Sequence, residues 1–257
     1  MPVSIVKSAR DYLLSFDGID DQKIDLQLTG WKGKKNKSHS GIYRSFLEHA
    51  KNRQSMPNTI GDVDKLKDVL FDFNSRKVIS EYTDHFGLLN AIKKAKIRTP
   101  APIDASNNRS HWVIYAKSAI SSAKFISSFK DADSFHEFVE SFYKNEYSRL
   151  ALPLLLKEEI IGFGFALSCD FLKENGYSGF VKPDTHINDI CRGVGITTAT
   201  TDFGVFKDVI AYCVKHDLVP YEFDKLIWLV GSGNFYKSEI QITVRKADFI
   251  KKVLNGG

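Results

Sequence analysis

The chain has 257 residues, of which 43% are hydrophobic and 26% are charged, and its formal net charge is +5 at pH 7. This composition excludes a disordered chain, and the length allows one large domain or two lobes. No apolar run reaches the ~20 residues that cross a bilayer, and Met1–Arg10 does not read as a signal peptide, so no membrane partner is expected. The small basic excess is compatible with a polyanionic partner.

The three cysteines, Cys169, Cys191 and Cys213, are widely spaced and form no CxxC pair. Structural zinc sites and iron–sulfur clusters need several cysteine ligands at close spacing. We therefore expect no metal site, and free thiols fit a reducing compartment.

Apolar residues at helical spacing dominate the chain and predict a mostly all-α fold. The predicted helices cover Val63–Phe73, Ile79–Leu89 with a break at Gly87, Trp112–Ile126, Phe135–Phe142 with Asp131 or Asp133 as cap, Phe203–Cys213 and Phe223–Val230. Residues Thr99–Arg109 are rich in Pro, Ser and Asn, which predicts a loop. Glu239–Arg245 alternates at period two and predicts a short C-terminal strand.

Two short helices joined by a tight turn are predicted between these elements. Pro153 can begin the first helix, which would end at Lys157–Ile160. Phe165–Asn175 forms the second, with Gly176 as its C-terminal cap. The turn contains Gly162-Phe163-Gly164, where glycines allow a backbone path that side chains would obstruct. Ile161 and Phe163 are expected to anchor the hairpin in the core.

This helix-hairpin-helix pattern predicts a phosphate site. The N–H groups of the turn and of the second helix's first residues would point outward, and together with the helix dipole they bind phosphate without reading sequence. The residues at this site are Gly162, Phe163, Gly164 and Ala166. No cofactor is expected, although a monovalent cation could bind at the hairpin. The alternative is a tight helix connection that binds no ligand.

A single carboxylate follows the hairpin, in Pro183-Asp184-Thr185-His186. Proline holds the chain extended before it, and Asp184 falls where a helix N-cap belongs. Taken alone, Asp184 fits a cap better than a catalytic group.

Hairpin and carboxylate together resemble the helix-hairpin-helix glycosylase superfamily, which includes endonuclease III and its adenine- and oxoguanine-specific relatives. In that family a Gly-apolar-Gly hairpin precedes, by about twenty residues, an Asp that opens a helix, often as Val-Asp-Thr-His. Weaker similarity to flanking helices extends the resemblance from Phe71 to Tyr236. Residues before Phe71 match nothing that we can place.

Two departures from the family concern its chemistry. Bifunctional members carry a lysine two residues after the second hairpin glycine, a position held here by Ala166, which cannot form a Schiff base. Several relatives bind an iron–sulfur cluster near the C-terminus, but no cysteine follows Cys213. The resemblance therefore implies an enzyme with neither lyase activity nor the cluster.

The implied function is that of a monofunctional DNA glycosylase acting on double-stranded DNA that contains a target base. Asp184 would stabilise the positive charge that develops on the sugar of a flipped nucleotide and would orient water. The target could be a damaged, mismatched or modified base. The alternatives are a non-catalytic DNA-binding hairpin protein and a helical protein–protein scaffold.

Other residues are further candidates for the site. Asn74 and Arg76 lie where family members fill the gap left by the flipped base, although a helix-cap role explains them equally well. Trp112 and Tyr115 could line the base pocket, but aromatic residues at helical spacing are usually core. Lys182 could contact the DNA backbone.

The predicted architecture has two helical lobes with a cleft between them. Residues 74–183 form a helical barrel that ends in the hairpin, and residues 1–73 and 184–257 form the second lobe. The protein is expected to be a monomer, in the cytoplasm and associated with the nucleoid if bacterial, and in the nucleus if eukaryotic.

Overall fold

The computed structural model describes residues 5–30, 32, 34–53 and 56–255, and this part of the chain is mostly α-helical, as predicted. The α-helices are α1 (Ile5–Leu13), α2 (Asp21–Thr29), α3 (His39–Lys51), α4 (Pro57–Ile60), α5 (Ser75–Glu81), α6 (His85–Lys94), α7 (His111–Ser127), α8 (Ala132–Ser141), α9 (Glu146–Glu159), α10 (Phe165–Glu174), α11 (Thr185–Gly193), α12 (Asp202–Lys215), α13 (Pro220–Ser232) and α14 (Lys246–Leu254). Short 3-10 helices cover Val63–Leu66 and Phe142–Lys144, and two strands, β1 (Asn234–Phe235) and β2 (Ile240–Gln241), pair antiparallel.

The chain divides into two compact units. The internal unit contains residues 35–171, and the terminal unit contains residues 1–34 and 172–257. The predicted boundaries were residues 74 and 183. Residues 35–73 lie instead with the internal unit, because α3 and α4 pack against α7.

Helix α7 is the centre of the internal unit. Helices α3, α4, α5, α6 and α9 all contact it. Most of its side chains are buried, and a helix that is buried on several sides is typical of a core position. The stripe from Trp112 to Ile126 predicted this helix. On α3, the ring of Phe46 stacks on Phe171 with centroids 3.8 Å apart.

Helix α13 has the same role in the terminal unit, where α1, α2, α11, α12 and α14 pack against it. The N-terminal and C-terminal segments are also joined directly. The hydroxyl of Tyr12 donates to the carbonyl of Arg245 at 3.3 Å and accepts from the Arg245 N–H at 3.1 Å. This unit therefore needs both ends of the chain.

Several predicted element boundaries are corrected by the structure. Pro153 lies inside α9 rather than at its start, because Asn145 caps the helix eight residues earlier by accepting from Ser148 N–H at 2.8 Å. The break near Gly87 falls instead before α6, where Asp84 accepts from the N–H groups of Phe86 and Gly87. In the predicted strand Glu239–Arg245, only Ile240–Gln241 pairs.

The predicted helix Val63–Phe73 is the largest departure. Only Val63–Leu66 is a 3-10 helix, and Phe71, Asp72 and Phe73 then have φ angles of 51°, 56° and 60°. Three consecutive residues with side chains in the left-handed region are rare, and each costs about 1 kcal/mol or more. The apolar spacing is helical in period, but this left-handed turn ends the element before Asn74.

Candidate nucleic-acid interface and catalytic carboxylate

The turn between α9 and α10 is fastened to α7 by two serines. The Ile161 N–H donates to Ser121 Oγ at 2.9 Å, and Ser118 Oγ donates to the Ile161 carbonyl at 2.6 Å. Phe163 is 5% exposed and lies against Phe46, as predicted. Ile161 was also expected in the core but is 54% exposed, because its backbone rather than its side chain faces α7.

The fold requires glycine at one of the two hairpin positions but not at the other. Gly162 has a φ of +89°, and a β-carbon there would lie 2.7 Å from Ser118 Oγ and 3.0 Å from Ile114 Cγ2. The fold therefore needs glycine at 162. Gly164 is exposed, its φ is not in the left-handed region, and a β-carbon on it would meet nothing within 4 Å. The described contacts within the protein do not require glycine at 164, whereas the close approach of a ligand to the backbone would.

Helix α10 begins directly after Gly164. The Ser168 N–H donates to the Gly164 carbonyl at 3.1 Å. In general, the first N–H groups of an α-helix have no acceptor within the helix. Such groups, with the positive end of the helix dipole, form a place where an anion can bind. Ala166 lies in this first turn, and its methyl group offers no amine.

A small basic cavity lies beside the hairpin in the internal unit. It has a volume of about 200 Å³, and Lys117, Lys124, His85 and Ile161 are among the residues that line it. Burial lowers the pKa of His85, and Lys117 adds to this effect. The two lysines give this side of the hairpin a positive charge suited to a polyanion.

Asp184 is the N-cap of α11, as predicted. One carboxylate oxygen, Oδ1, accepts from the N–H groups of His186 at 2.9 Å and Ile187 at 3.1 Å. The other oxygen takes no part in these bonds, and the residue is half-buried. Asn188 donates its amide to the Pro183 carbonyl at 3.2 Å and to Asp202 at 3.0 Å, which braces the helix start. The carboxylate is thus held by one oxygen while the second can act on another group.

His186 packs inside the terminal unit rather than acting as an exposed base. Its ring is edge-on to Trp228, with centroids 6.3 Å apart, and lies over Gly231. Burial lowers the pKa of His186, and the neighbouring carboxylate of Asp184 only partly offsets this.

Asn74 and Arg76 have structural partners. Asn74 caps α5 by accepting from the Lys77 N–H at 3.1 Å. Arg76 donates to the carbonyls of Phe129 and Lys130 at 2.8 and 2.7 Å, so its guanidinium holds the segment that follows α7. Both residues line a polar cavity of about 1070 Å³ in the internal unit.

Trp112 and Tyr115 are core residues of the internal unit, each 1% exposed. Trp112 donates its indole N–H to the Ala101 carbonyl at 3.2 Å. This burial corrects their assignment to a base pocket, since neither ring is accessible to a ligand. Lys182 is half-buried, and its main-chain N–H donates to Asp224 at 2.6 Å. A contact between its side chain and DNA stays a prediction.

Two features were missed from the sequence. The left-handed turn Phe71–Phe73 carries no glycine or asparagine that would have signalled it. Asp224 and Lys173 are 1% and 4% exposed and form an ion pair, with Lys173 Nζ 2.5 Å from Asp224 Oδ2. A charged residue inside the apolar run Phe223–Val230 was the available signal.

Among the residues that the structure describes, no three His, Cys, Asp or Glu side chains converge where they could hold a metal ion. No helix in the described ranges is both long enough and apolar enough to cross a bilayer.

Comparison with known proteins identifies the fold. No protein-family model matches the chain, and no curated protein sequence matches it. Among solved structures, the chain is similar to the crystal structure of the 8-oxoguanine glycosylase/lyase of Methanocaldococcus jannaschii in complex with a 15mer DNA containing 8-oxoguanine. The TM-score is 0.53 at 16% sequence identity, and the match covers 91% of this chain and 99% of that chain. The chain therefore shares, over nearly its whole length, the fold of that glycosylase/lyase.

Proposed function

We propose that this protein is a monofunctional DNA glycosylase that hydrolyses the N-glycosidic bond of a flipped base. The observation that carries the proposal is the pairing, in one chain with this fold, of a ligand-accessible hairpin glycine and a helix-capping carboxylate with one oxygen outside the cap. Gly164 is exposed, and the described contacts within the protein do not call for a glycine there. The Oδ2 atom of Asp184 takes no part in the cap.

In this proposal the hairpin binds a DNA phosphate through the first N–H groups of α10, and Lys117 and Lys124 add positive charge beside it. Phosphate contacts of this kind position the protein without reading sequence. The target base must leave the stack, because the glycosidic carbon is inaccessible inside a duplex.

Asp184 acts when the bond between sugar and base breaks. Positive charge develops on the sugar, and a carboxylate fixed nearby lowers the energy of that state without having to reorganise. The same carboxylate orients the water that completes hydrolysis. With Ala166 in the first turn of α10, no amine is supplied there for a covalent intermediate, so the product is an intact abasic site.

The test is a panel of duplexes, each with a single modified, damaged or mismatched base, incubated with excess protein and then treated with alkali. Because the similar archaeal enzyme was solved with 8-oxoguanine DNA, that base belongs in the panel. We expect cleavage after alkali for at least one duplex and none without alkali. Salt-sensitive binding with no excision of any base would instead favour a DNA-binding hairpin protein, and no binding at all would favour a scaffold.

A further inference from the structure

A cluster of buried charges lies in the terminal unit, which also contains Asp184. Lys173, Asp224 and Lys225 are 4%, 1% and 7% exposed. Lys173 Nζ is 2.5 Å from Asp224 Oδ2, and Lys225 Nζ is 2.6 Å from Glu174 Oε1. Charged groups are almost never buried to this extent without partners, and here each has one.

Stability alone does not explain this ion pair. Removing two charges from water costs several kcal/mol per ion, and replacing a buried pair with well-packed apolar residues is often neutral or stabilising. The cost for Asp224 is visible in its pKa, which burial raises and the ammonium of Lys173 only partly restores. The burial of a carboxylate at this free-energy cost suggests that Asp224 has a role other than stabilising the fold.

The second oxygen of Asp224 indicates that task. Oδ1 accepts from the main-chain N–H of Lys182 at 2.6 Å. The carbonyl of the same residue accepts from the Asp184 N–H at 2.8 Å. Lys182 is therefore bound on both sides, by Asp224 through its N–H and by Asp184 through its carbonyl.

A hydrogen bond to an ionised acceptor is about twice as strong as a neutral one, and a buried N–H without an acceptor is costly. Asp224 thus fixes the main chain two residues before the carboxylate proposed to stabilise the sugar cation. Lys173 lies opposite Asp224 as a counter-charge, and this lowers the pKa of Asp224 and favours its ionised form.

We propose that Asp224 is a positioning residue, which sets the place and direction of Asp184 through the hydrogen bond from its Oδ1 to the Lys182 N–H. This inference rests on the proposed glycosylase function for its catalytic consequence. Its structural part, the control of the Lys182–Asp184 segment, holds or fails independently of any substrate.

The experiment compares two double variants that both remove the ion pair and differ only in the acceptor for Lys182. Lys173→Met with Asp224→Asn keeps a carbonyl oxygen at the Oδ1 position. Lys173→Met with Asp224→Leu has none, at similar side-chain size. A third variant, Lys225→Met, perturbs the same buried cluster without touching the Lys182 main chain, and it controls for a general loss of stability.

Hydrogen exchange of the segment containing Lys182 and Asp184 is measured first, without DNA. We expect protection close to the wild type in the asparagine variant and in Lys225→Met, and a clear loss in the leucine variant. Equal protection in both double variants would overturn the proposal. If the leucine variant does not fold, loss of protection at Lys182 in the folded asparagine variant also overturns it, and retained protection supports it.

Single-turnover excision is measured second, on a duplex that the wild type cleaves. The leucine variant should lose on the order of 100-fold in rate at saturating DNA, because a shift of about 1 Å in a reacting group has such an effect. Its DNA affinity should not change. The asparagine variant and Lys225→Met should keep rates within about 3-fold of the wild type, even where their melting temperatures fall. A wild type that cleaves no duplex but shows the expected exchange pattern would disprove the glycosylase function and leave the positioning intact.

Discussion

The imidazole of His186 lies so close to the α-carbon of Gly231 that a β-carbon there would stand 2.6 Å from Nδ1 and 2.7 Å from the histidine Cβ. Atoms this near the histidine main chain cannot move aside easily. The α11 turn that begins at Asp184 therefore packs directly against the backbone of α13, and only glycine at 231 permits this spacing.

Replacement of Gly231 by alanine should destabilise the protein by about 1–3 kcal/mol, since overpacking forces side chains or backbone to shift. Thermal melting measures this. Gly87→Ala is the matched control, because its β-carbon would meet Tyr82 at ordinary distances of 3.6 Å or more. That change should be neutral or stabilising, by roughly 0.5–1 kcal/mol at most. Equal melting temperatures for the two variants would contradict the packing described.

Substitution of Gly164 should affect DNA binding, whereas substitution of Gly162 should affect folding. Gly164→Leu should leave the melting temperature nearly unchanged, because position 164 is exposed and a β-carbon there would meet nothing within 4 Å. It should weaken binding to many DNA sequences alike by about 10-fold or more, through the loss of charge-assisted phosphate bonds. Fluorescence anisotropy at two salt concentrations measures both the affinity and its salt dependence.

Gly162→Ala is the counterpart of that variant. It should lower the melting temperature, because the positive φ and the contact with Ser118 both oppose a β-carbon. Binding that is insensitive to salt and to Gly164→Leu would disprove the hairpin assignment.

Borohydride should trap no covalent adduct between this protein and DNA during turnover, because Ala166 supplies no amine and Lys173 is buried in an ion pair. The glycosylase/lyase of Methanocaldococcus jannaschii, assayed in parallel on 8-oxoguanine DNA, serves as the positive control for trapping. An adduct with this protein would mean that another lysine acts as nucleophile and that the enzyme is bifunctional.

Asp184→Asn should lower the rate of base excision without preventing folding. Asparagine keeps an Oδ1 that can accept from His186 and Ile187, so stability should change by no more than about 1 kcal/mol. DNA binding should persist or tighten, since a negative charge near phosphates is gone. Excision should fall by about 100-fold or more, because the sugar cation loses its counter-charge.

Melting temperature and single-turnover excision are measured on the same preparation of this variant. A stable variant with a near-normal excision rate would mean that Asp184 serves only as a helix cap.

Burial of His186 predicts a specific pH dependence of stability. Its folded-state pKa is lowered, so below about pH 6.5 the unfolded chain binds a proton that the folded chain resists. The free energy of unfolding should therefore be fully developed above that pH and fall as the pH drops through the lowered pKa. Urea unfolding at several pH values, compared with His186→Gln, checks this. The variant should lose less stability on acidification, although His85, shifted in the same direction, will leave part of the slope.

The helices and the start of the site could be predicted from the sequence because their signals are local. Glycines at 162 and 176 adopt positive φ, and Asp184 after proline caps a helix, so a short window of sequence is enough. The apolar stripe of α7 likewise needed no knowledge of its partners.

The remaining features depend on residues distant in sequence. Ile161 and Phe163 are both apolar, and only the serines of α7, some forty residues earlier, turn one outward and the other inward. Asp224 looks like a surface charge until Lys173 and Lys182 are brought to it. The Phe71–Phe73 turn has no local signature, since its strain must be compensated by surrounding packing.

The terminal unit, which contains residues 1–34 and 172–257, has a consequence for synthesis on the ribosome. Helix α1 is made before the internal unit, whereas its partners α13 and α14 are made after it. The internal unit is continuous, and domains generally fold as units during synthesis, so it can fold while α1 is still unpartnered. The apolar face of α1 therefore stays without these partners until the whole internal unit and then α13 and α14 have been made.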